Sequence, residues 1–270
     1  MTRWTDGGTL RNHQYRDADQ LNARVRLHRR FSTNPYPWHR WVFDHLDLPH
    51  STRILDLGSG PGDLWVENLE RIPNSWRITL NDLSIGMTAE ARQRLTLGPA
   101  LFAYCTADAE ALPFAPDSFD GVIANHMLYH VCDLGAALHE ISRVLTPGGR
   151  ILAATNGIHH MRELRELASQ FIPRSDPENV AARFSLENGE RWLSSVFEKV
   201  RLFRQENNLV VTEAEPLLAY VRSMHDDRMV QAGMEGLRQC IQRRIAVEGA
   251  IHVRKDAGIF VAVRSGGWSK

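Results

Sequence analysis

Cysteine is scarce in this chain of 270 residues: Cys105, Cys132 and Cys240 are odd in number and far apart. They make neither a zinc-ligand spacing nor a disulfide framework, so the expectation is a reducing, cytoplasmic setting with no metal. No uninterrupted apolar run approaches the roughly 18 residues of a membrane span. The start, Met1–Gly8, lacks the apolar core of a signal peptide. Neither sign of charge is in excess, since 32 Lys and Arg balance 32 Asp and Glu. That argues against a surface built to hold nucleic acid or another polyanion. Repeats and low-complexity tracts are also missing. What is present, 43% hydrophobic and 24% charged residues, is the balance of an ordinary globule. Its length can bury a core without staples.

Residues 17–31 read as a helix with Arg24, Arg26, Arg29 and Arg30 on a basic side. That side is expected to be solvated, contact with an anionic acceptor being the alternative. Asn34-Pro35-Tyr36-Pro37 breaks it. Trp38, Trp41, Val42, His45 and Leu46 then follow the i, i+3, i+4 spacing of an amphipathic helix. From Arg53 the rhythm becomes strand–helix alternation. Strands are expected at 54–57, 76–80, 101–106, 119–124 and 150–155, and helices at 62–72 and 85–96. Another helix is capped by Asp133, with Leu134, Ala137, Leu138, Ile141, Val144 and Leu145 as its stripe. Such alternation implies an α/β, doubly wound, mostly parallel sheet covered on both faces. Beyond Asn156, residues 160–171, 186–197 and 213–247 look helical, and 199–204 look like a strand. Ile251–Val253 and Ile259–Val263 read as a hairpin turned at Lys255-Asp256-Ala257-Gly258.

The strongest chemical feature is Asp56-Leu57-Gly58-Ser59-Gly60-Pro61-Gly62, strand into helix. Its glycines permit a tight turn and close approach of a ligand to the backbone. Asp82 ends the second strand 20 residues past Gly62, where a ribose diol meets an acceptor in a doubly wound sheet. Asp108 follows the third strand, where a carboxylate could accept from an adenine amine. A dinucleotide would be disfavoured by Asp63 at the helix start, which would repel a pyrophosphate.

This set resembles the class I S-adenosylmethionine-dependent methyltransferases of the methyltransferase-11 type, similar to the ubiquinone/menaquinone methyltransferases. The matching pieces are the turn at 56–62, the run 81–87, the run 107–114, Asp117-Ser118-Phe119-Asp120 and Leu145-Thr146-Pro147-Gly148-Gly149, all within about 53–156. The resemblance implies a seven-stranded Rossmann-like methyltransferase sheet whose last strand is antiparallel. It further implies that Asp56, Gly58, Ser59, Gly60 and Gly62 wrap the methionine part of S-adenosylmethionine. Asp82 would hold the ribose, with Leu83 and Met87 beside the adenine that Asp108 and Ala109 bracket. Asn125 and His126 would lie beneath the sulfonium, and Tyr15 would close over the cofactor. The product would be S-adenosylhomocysteine.

The candidates for acceptor chemistry are His126, Tyr129 and His130, at the carboxyl end of the fourth strand where open sheets place ligands. Asn156, His159 and His160 could line the same mouth. The stretch 125–128 lacks the prolines of base-amine methyltransferases, no cysteine follows a proline as in cytosine enzymes, and no acid adjoins Asn125 as in magnesium-dependent ones. A small-molecule acceptor follows by subtraction, with no nucleic acid and no membrane partner, in a monomer or homodimer. The alternatives are a non-methylating binder or pericyclase-like enzyme on the same fold, a protein or RNA methyltransferase, or a nicotinamide oxidoreductase. The expected division is a helical arm or lid at 1–50, a methyltransferase domain at 51–265, and a tail at 266–270. Within the domain the cofactor core is 53–156 and substrate-side insertions occupy 157–250. Met224, Met229 and Met234 are expected to pack helices.

Overall fold

The short apolar run before the glycines forms the centre of the sheet. In the computed structural model, which describes residues 19–96, 101–173, 180–225 and 230–266, β1 (Arg53–Leu57) is buried from Ile54 onward. The other strands are β2 (Arg77–Asp82), β3 (Leu101–Thr106), β4 (Phe119–Asn125), β5 (Leu145–Asn156), β6 (Glu198–Val211) and β7 (Ile251–Val263). They form one seven-stranded sheet of order β3-β2-β1-β4-β5-β7-β6. β1 to β5 are parallel, and β7 runs antiparallel to both neighbours. This is the mostly parallel sheet with a reversed last strand that the sequence predicts.

Both faces are covered. Helix α5 (Leu134–Val144) starts where the Asp133 carboxylate accepts from the Ala136 amide at 2.9 Å. Its predicted stripe is buried against Val122, Ala124 and Ile151. On the other face α2 (Trp38–Asp44), α3 (Asp63–Val66) and α4 (Ile85–Arg94) bring Val42, Trp65 and Ala91 against Ile54, Ile78 and Leu80. Each such fully buried aliphatic side chain contributes about 1.5–3 kcal/mol. The helix expected over 62–72 is cut short, because the buried Asn68 amide turns back to the Leu64 carbonyl at 2.8 Å and also reaches the His39 carbonyl.

Two expectations are corrected at the C-terminal side. Residues 251–263 are not a hairpin. The ladder runs straight through Lys255, opposite Asn207, and through Gly258, opposite Arg204. Gly258 is present because a Cβ there would collide with the Phe203 carbonyl oxygen, a close strand approach rather than a turn. Nor is 157–250 wholly insertion, since β6 is a full member of the sheet.

β6 and β7 are longer than the central strands, and the excess is all at one end. Asn156, the last residue of β5, pairs with Ala257. Residues 251–256 of β7 and their β6 partners 206–211 therefore project beyond the carboxyl edge of the parallel strands. This two-stranded ribbon carries α1 (Asp19–Phe31), α6 (Arg162–Ala168), α8 (Ala214–Met224) and α9 (Met234–Glu248), whereas α7 (Gly189–Ser194) adds Leu193 to the core beneath α5. Leu27, Leu164, Leu209, Leu218, Leu237 and Val253 form its own apolar core. Helix α1 is fastened by the Thr33 amide to the Asn208 carbonyl at 2.8 Å.

Candidate functional site

The glycine turn, the carboxyl ends of β2, β3 and β4, and the ribbon with its helices enclose one cavity of about 1170 Å³. Parallel strands leave their carboxyl ends open to ligands, and here a roof is built over them.

The floor is set by three residues of β1 and β2. Asp56 is buried. One carboxylate oxygen accepts from the Trp65 indole at 2.8 Å, while the other is buried without a partner among the described residues. Burial pushes this carboxyl up to about 7; the Trp65 hydrogen bond opposes the rise and the nearby Asp82 charge adds to it. Asp82 accepts from the Gly60 amide at 2.9 Å and the Ser84 amide at 2.8 Å, which ties the turn to the start of α4. Its carboxyl is also raised by burial, against these bonds. Asn81 donates to the Ala107 carbonyl at 3.0 Å and leaves its own oxygen buried and unmatched. Gly58, at φ +61°, lies where a Cβ would come within 2.6 Å of Met127 Cβ. The turn can adopt this shape only without a side chain.

Asp108 is exposed and caps its own loop through the Glu110 amide at 3.0 Å. Ala109 is buried near Val131 and Ala137, Met87 is buried, and Leu83 lines the cavity beside them. Asp63 does not act as expected: it pairs with Arg94 at 2.7 Å, so its repulsion of a pyrophosphate is largely cancelled. Tyr15 and Met229 lie outside the described residues.

The end of β4 is bent by His126, whose φ is 59° and whose amide donates to the Ala154 carbonyl at 3.1 Å. Its ring packs on Trp38 at 5.1 Å and lies 6.4 Å from Tyr129, which in turn stacks on His130 at 4.6 Å. His126 Nδ1 has no partner among the described residues. Burial first, then the charges of His39, Lys255 and His130, lower its pKa to about 3. A ring held that low is neutral at pH 7 and a weak base. Asn125 is oriented by the Trp38 indole, which donates to its side-chain oxygen at 3.2 Å.

The structure thus brings together Gly58, Ser59 and Gly60 of the turn, Asp56, Asp82, Asp108, Asn125, His126, Tyr129, His130, Asn156, His159 and His160 on one cavity, while Gly62 does not line it. Met224 lines it too, whereas Met234 packs in the helical core. Sequence reasoning missed Asn81, Trp38, His28, Tyr220 and Lys255, which also line it. Lys255 carried a usable signal. It alternates with Val253 and Ala257, both buried, and so faces inward.

A sheet of this order, with a glycine turn after β1 and acids at the ends of β1 and β2 and just after β3, defines the Rossmann-like methyltransferase fold. Residues 55–153 match the family described as Methyltransferase domain. Over 115 residues the chain is 39% identical to the ubiquinone/menaquinone biosynthesis C-methyltransferase UbiE of Xanthomonas oryzae pv. oryzae, covering 42% of this chain and 46% of the relative. The chain spans about half the length of the curated relatives it matches. Among solved structures, phosphoethanolamine N-methyltransferase 2 of Haemonchus contortus, in complex with S-adenosyl-L-methionine, has a TM-score of 0.60 at 19% identity, covering 98% of this chain and 60% of that one. The cyclase SpnF also has a TM-score of 0.60, at 18% identity, covering 99% and 98%. The fold therefore serves more than one chemistry. Among the described residues, no helix is long and apolar enough to cross a membrane.

Proposed function

We propose that this chain transfers the methyl group of S-adenosylmethionine, in line, to an oxygen, nitrogen or carbon atom of a small-molecule acceptor in the cytoplasm. The observation that carries the reading is the set of buried, unmatched polar atoms around the glycine turn: Asp56 Oδ1, Ser59 Oγ and Asn81 Oδ1, all on the cavity. Buried polar atoms without protein partners suit a polar ligand rather than a sealed core. Acceptor atoms there fit the ammonium and hydroxyl donors of the amino acid and ribose. Asp108 and Ala109 lie where they would bracket the adenine.

When bound, the cofactor supplies a methyl group on a leaving group already activated by its positive charge. The chain's own task is to hold the acceptor near and aligned, which can supply roughly 7–11 kcal/mol of the barrier. Asn125, fixed by Trp38, and His126 stand at the end of β4 for that purpose. The neutral His126 ring offers Nδ1 as a hydrogen-bond acceptor that orients the substrate. Tyr129 and His130 back this ring, and the helices on the ribbon keep water out.

The test is direct. Full-length protein is incubated with methyl-labelled S-adenosylmethionine and a small-metabolite extract, and label is followed into product. Thermal shifts with S-adenosylhomocysteine and with NAD run in parallel. Labelled small-molecule product supports the reading. Stabilisation by NAD and not by S-adenosylhomocysteine overturns it, and cofactor binding without product across many acceptors favours a cyclase-like or binding role.

A further inference from the structure

The cavity is electrically divided. Asp56 and Asp82 lie at the glycine turn, while the wall formed by the ribbon and its helices is basic. Lys255 stands on β7 just beyond the carboxyl edge, since Ala257 is the partner of the last β5 residue. Its ammonium lies 3.4 Å from Ser32 Oγ, and no carboxylate pairs with it among the described residues. The adjacent Asp256 is engaged elsewhere, with Arg204 at 2.7 Å.

Two histidines flank this lysine on the cavity wall. His28, on α1, has its ring 5.9 Å from that of His160 and 6.0 Å from that of Tyr220, and its Nδ1 is buried with no partner among the described residues. His160 Nδ1 accepts the Asp256 amide at 3.1 Å. That fixes the ring hydrogen on Nε2, the nitrogen left to donate. Carboxylates around the cavity are already committed: Glu166 to Arg162, Glu67 to His39, Glu70 to Arg40 and Asp63 to Arg94.

Resting on the methyl-transfer reading, we propose that the acceptor carries an oxyanion, a carboxylate or a phosphate, seated against Lys255 between His28 and His160. Gathering an ammonium and two imidazoles on one buried wall disfavours their charged forms unless an anion joins them. The wall shows that tension. Burial lowers Lys255 to about 8. His28 is lowered to about 3, by burial first and then by Lys255, His126 and Arg24. His160 is lowered in the same sense by burial, then by His28, His126, Lys255 and Arg165. An oxyanion reverses the effects on Lys255 and His28, so its binding draws protons onto those two groups, while His160 keeps its Nδ1 bond to the Asp256 amide and offers its Nε2 hydrogen. The charged and titratable groups lining the cavity from these elements are Arg24 and His28 of α1, Arg165 of α6, Tyr220 of α8, His160 after β5 and His126 after β4, and the charge of Lys255 is felt by His28, His126 and His160. Of these, His28 and Lys255 itself have the proton affinities an anion seated there can shift.

The experiment uses the full chain saturated with S-adenosylhomocysteine and titrated calorimetrically with benzoate, its neutral counterpart benzamide, and inorganic phosphate. At least one anion is expected to bind, benzamide is not, and the heat in two buffers of different ionisation enthalpy should report proton uptake. Lys255→Met should weaken the anion at least about tenfold, with cofactor affinity unchanged as the proof of folding. Lys255→Arg should retain most of the anion affinity. Preference for benzoate assigns a carboxylic acid, and preference for phosphate a phosphomonoester. Equal binding of benzoate and benzamide, no anion binding, or equal anion affinity in Lys255→Met overturns the proposal. Failure to bind S-adenosylhomocysteine overturns the methyl-transfer reading instead, while the anion titration still tests this wall.

Discussion

Asp56→Asn should make the protein more stable and a worse cofactor binder, and the two effects can be separated by pH. The carboxyl is raised from an ordinary 3.8 to about 7 because it is buried with one oxygen unmatched. A raised acid is at no disadvantage below pH 3.8, and it loses stability progressively as pH rises through 7. The difference of about 3 pH units corresponds to about 4 kcal/mol at pH 8, at 1.36 kcal/mol per unit. Asparagine keeps an oxygen for the Trp65 indole and carries no charge. Its melting temperature should therefore exceed that of the natural protein by roughly 3–5 °C at pH 8, after halving the energy for relaxation, and match it near pH 4. On the proposed reading, in which Asp56 would accept from the cofactor's ammonium, the same change should weaken S-adenosylhomocysteine roughly 10- to 100-fold. Scanning calorimetry from pH 4 to 9 and a cofactor titration at pH 8 read the two effects. Parallel pH profiles for both proteins, or undiminished cofactor affinity, would refute the reasoning.

Other expectations follow from the same geometry. Gly58→Ala places a side chain at positive φ and against Met127, and should cost about 2–4 kcal/mol in denaturant unfolding and abolish cofactor binding. Gly258→Ala should destabilise by about 1–3 kcal/mol through the collision with Phe203; neutral behaviour would mean that residues 255–258 do form a turn. His126→Ala should lower turnover at least about tenfold while leaving S-adenosylhomocysteine affinity within about twofold, as loss of a substrate-orienting contact requires. His28 is neutral in the fold, with its pKa lowered to about 3, and titrates near 6.5 when unfolded. Its contribution to stability therefore falls as pH drops from 6.5 toward 3, and His28→Gln should shift the acid-unfolding midpoint to lower pH by circular dichroism.

The glycine-turn side of the cavity was largely legible in the sequence because its signals are local. The Gly58–Gly62 turn, Asp82 at a strand end and the Asp133 cap with its stripe each fall within a few residues of the elements they shape. The opposite wall is built from distant partners. Trp38 orients Asn125 across 87 positions, and periodicity names a buried face without naming what covers it. Lys255 was hidden for a different reason. The sequence Lys255-Asp256-Ala257-Gly258 has the composition of a turn, which masked the alternation with Val253 and Ala257 that strand pairing then reveals as a straight segment. The zero net charge hid most, because it averages acids at the glycine turn against bases on the opposite wall.

The projecting ribbon gives the cavity an adjustable ceiling. Inserting a residue pair in β7 and its partners in β6 would lift the roof by about 7 Å, at about 3.3 Å per residue, and keep the position of Lys255 facing inward. A single-residue insertion would instead turn that side chain out to solvent and present its neighbour to the cavity. Cavity height and wall chemistry are thus governed by length and parity in the same two strands, while the glycine turn and its acids stay untouched. The size of the cavity can therefore vary in this architecture by extension of a ladder, without rebuilding its floor.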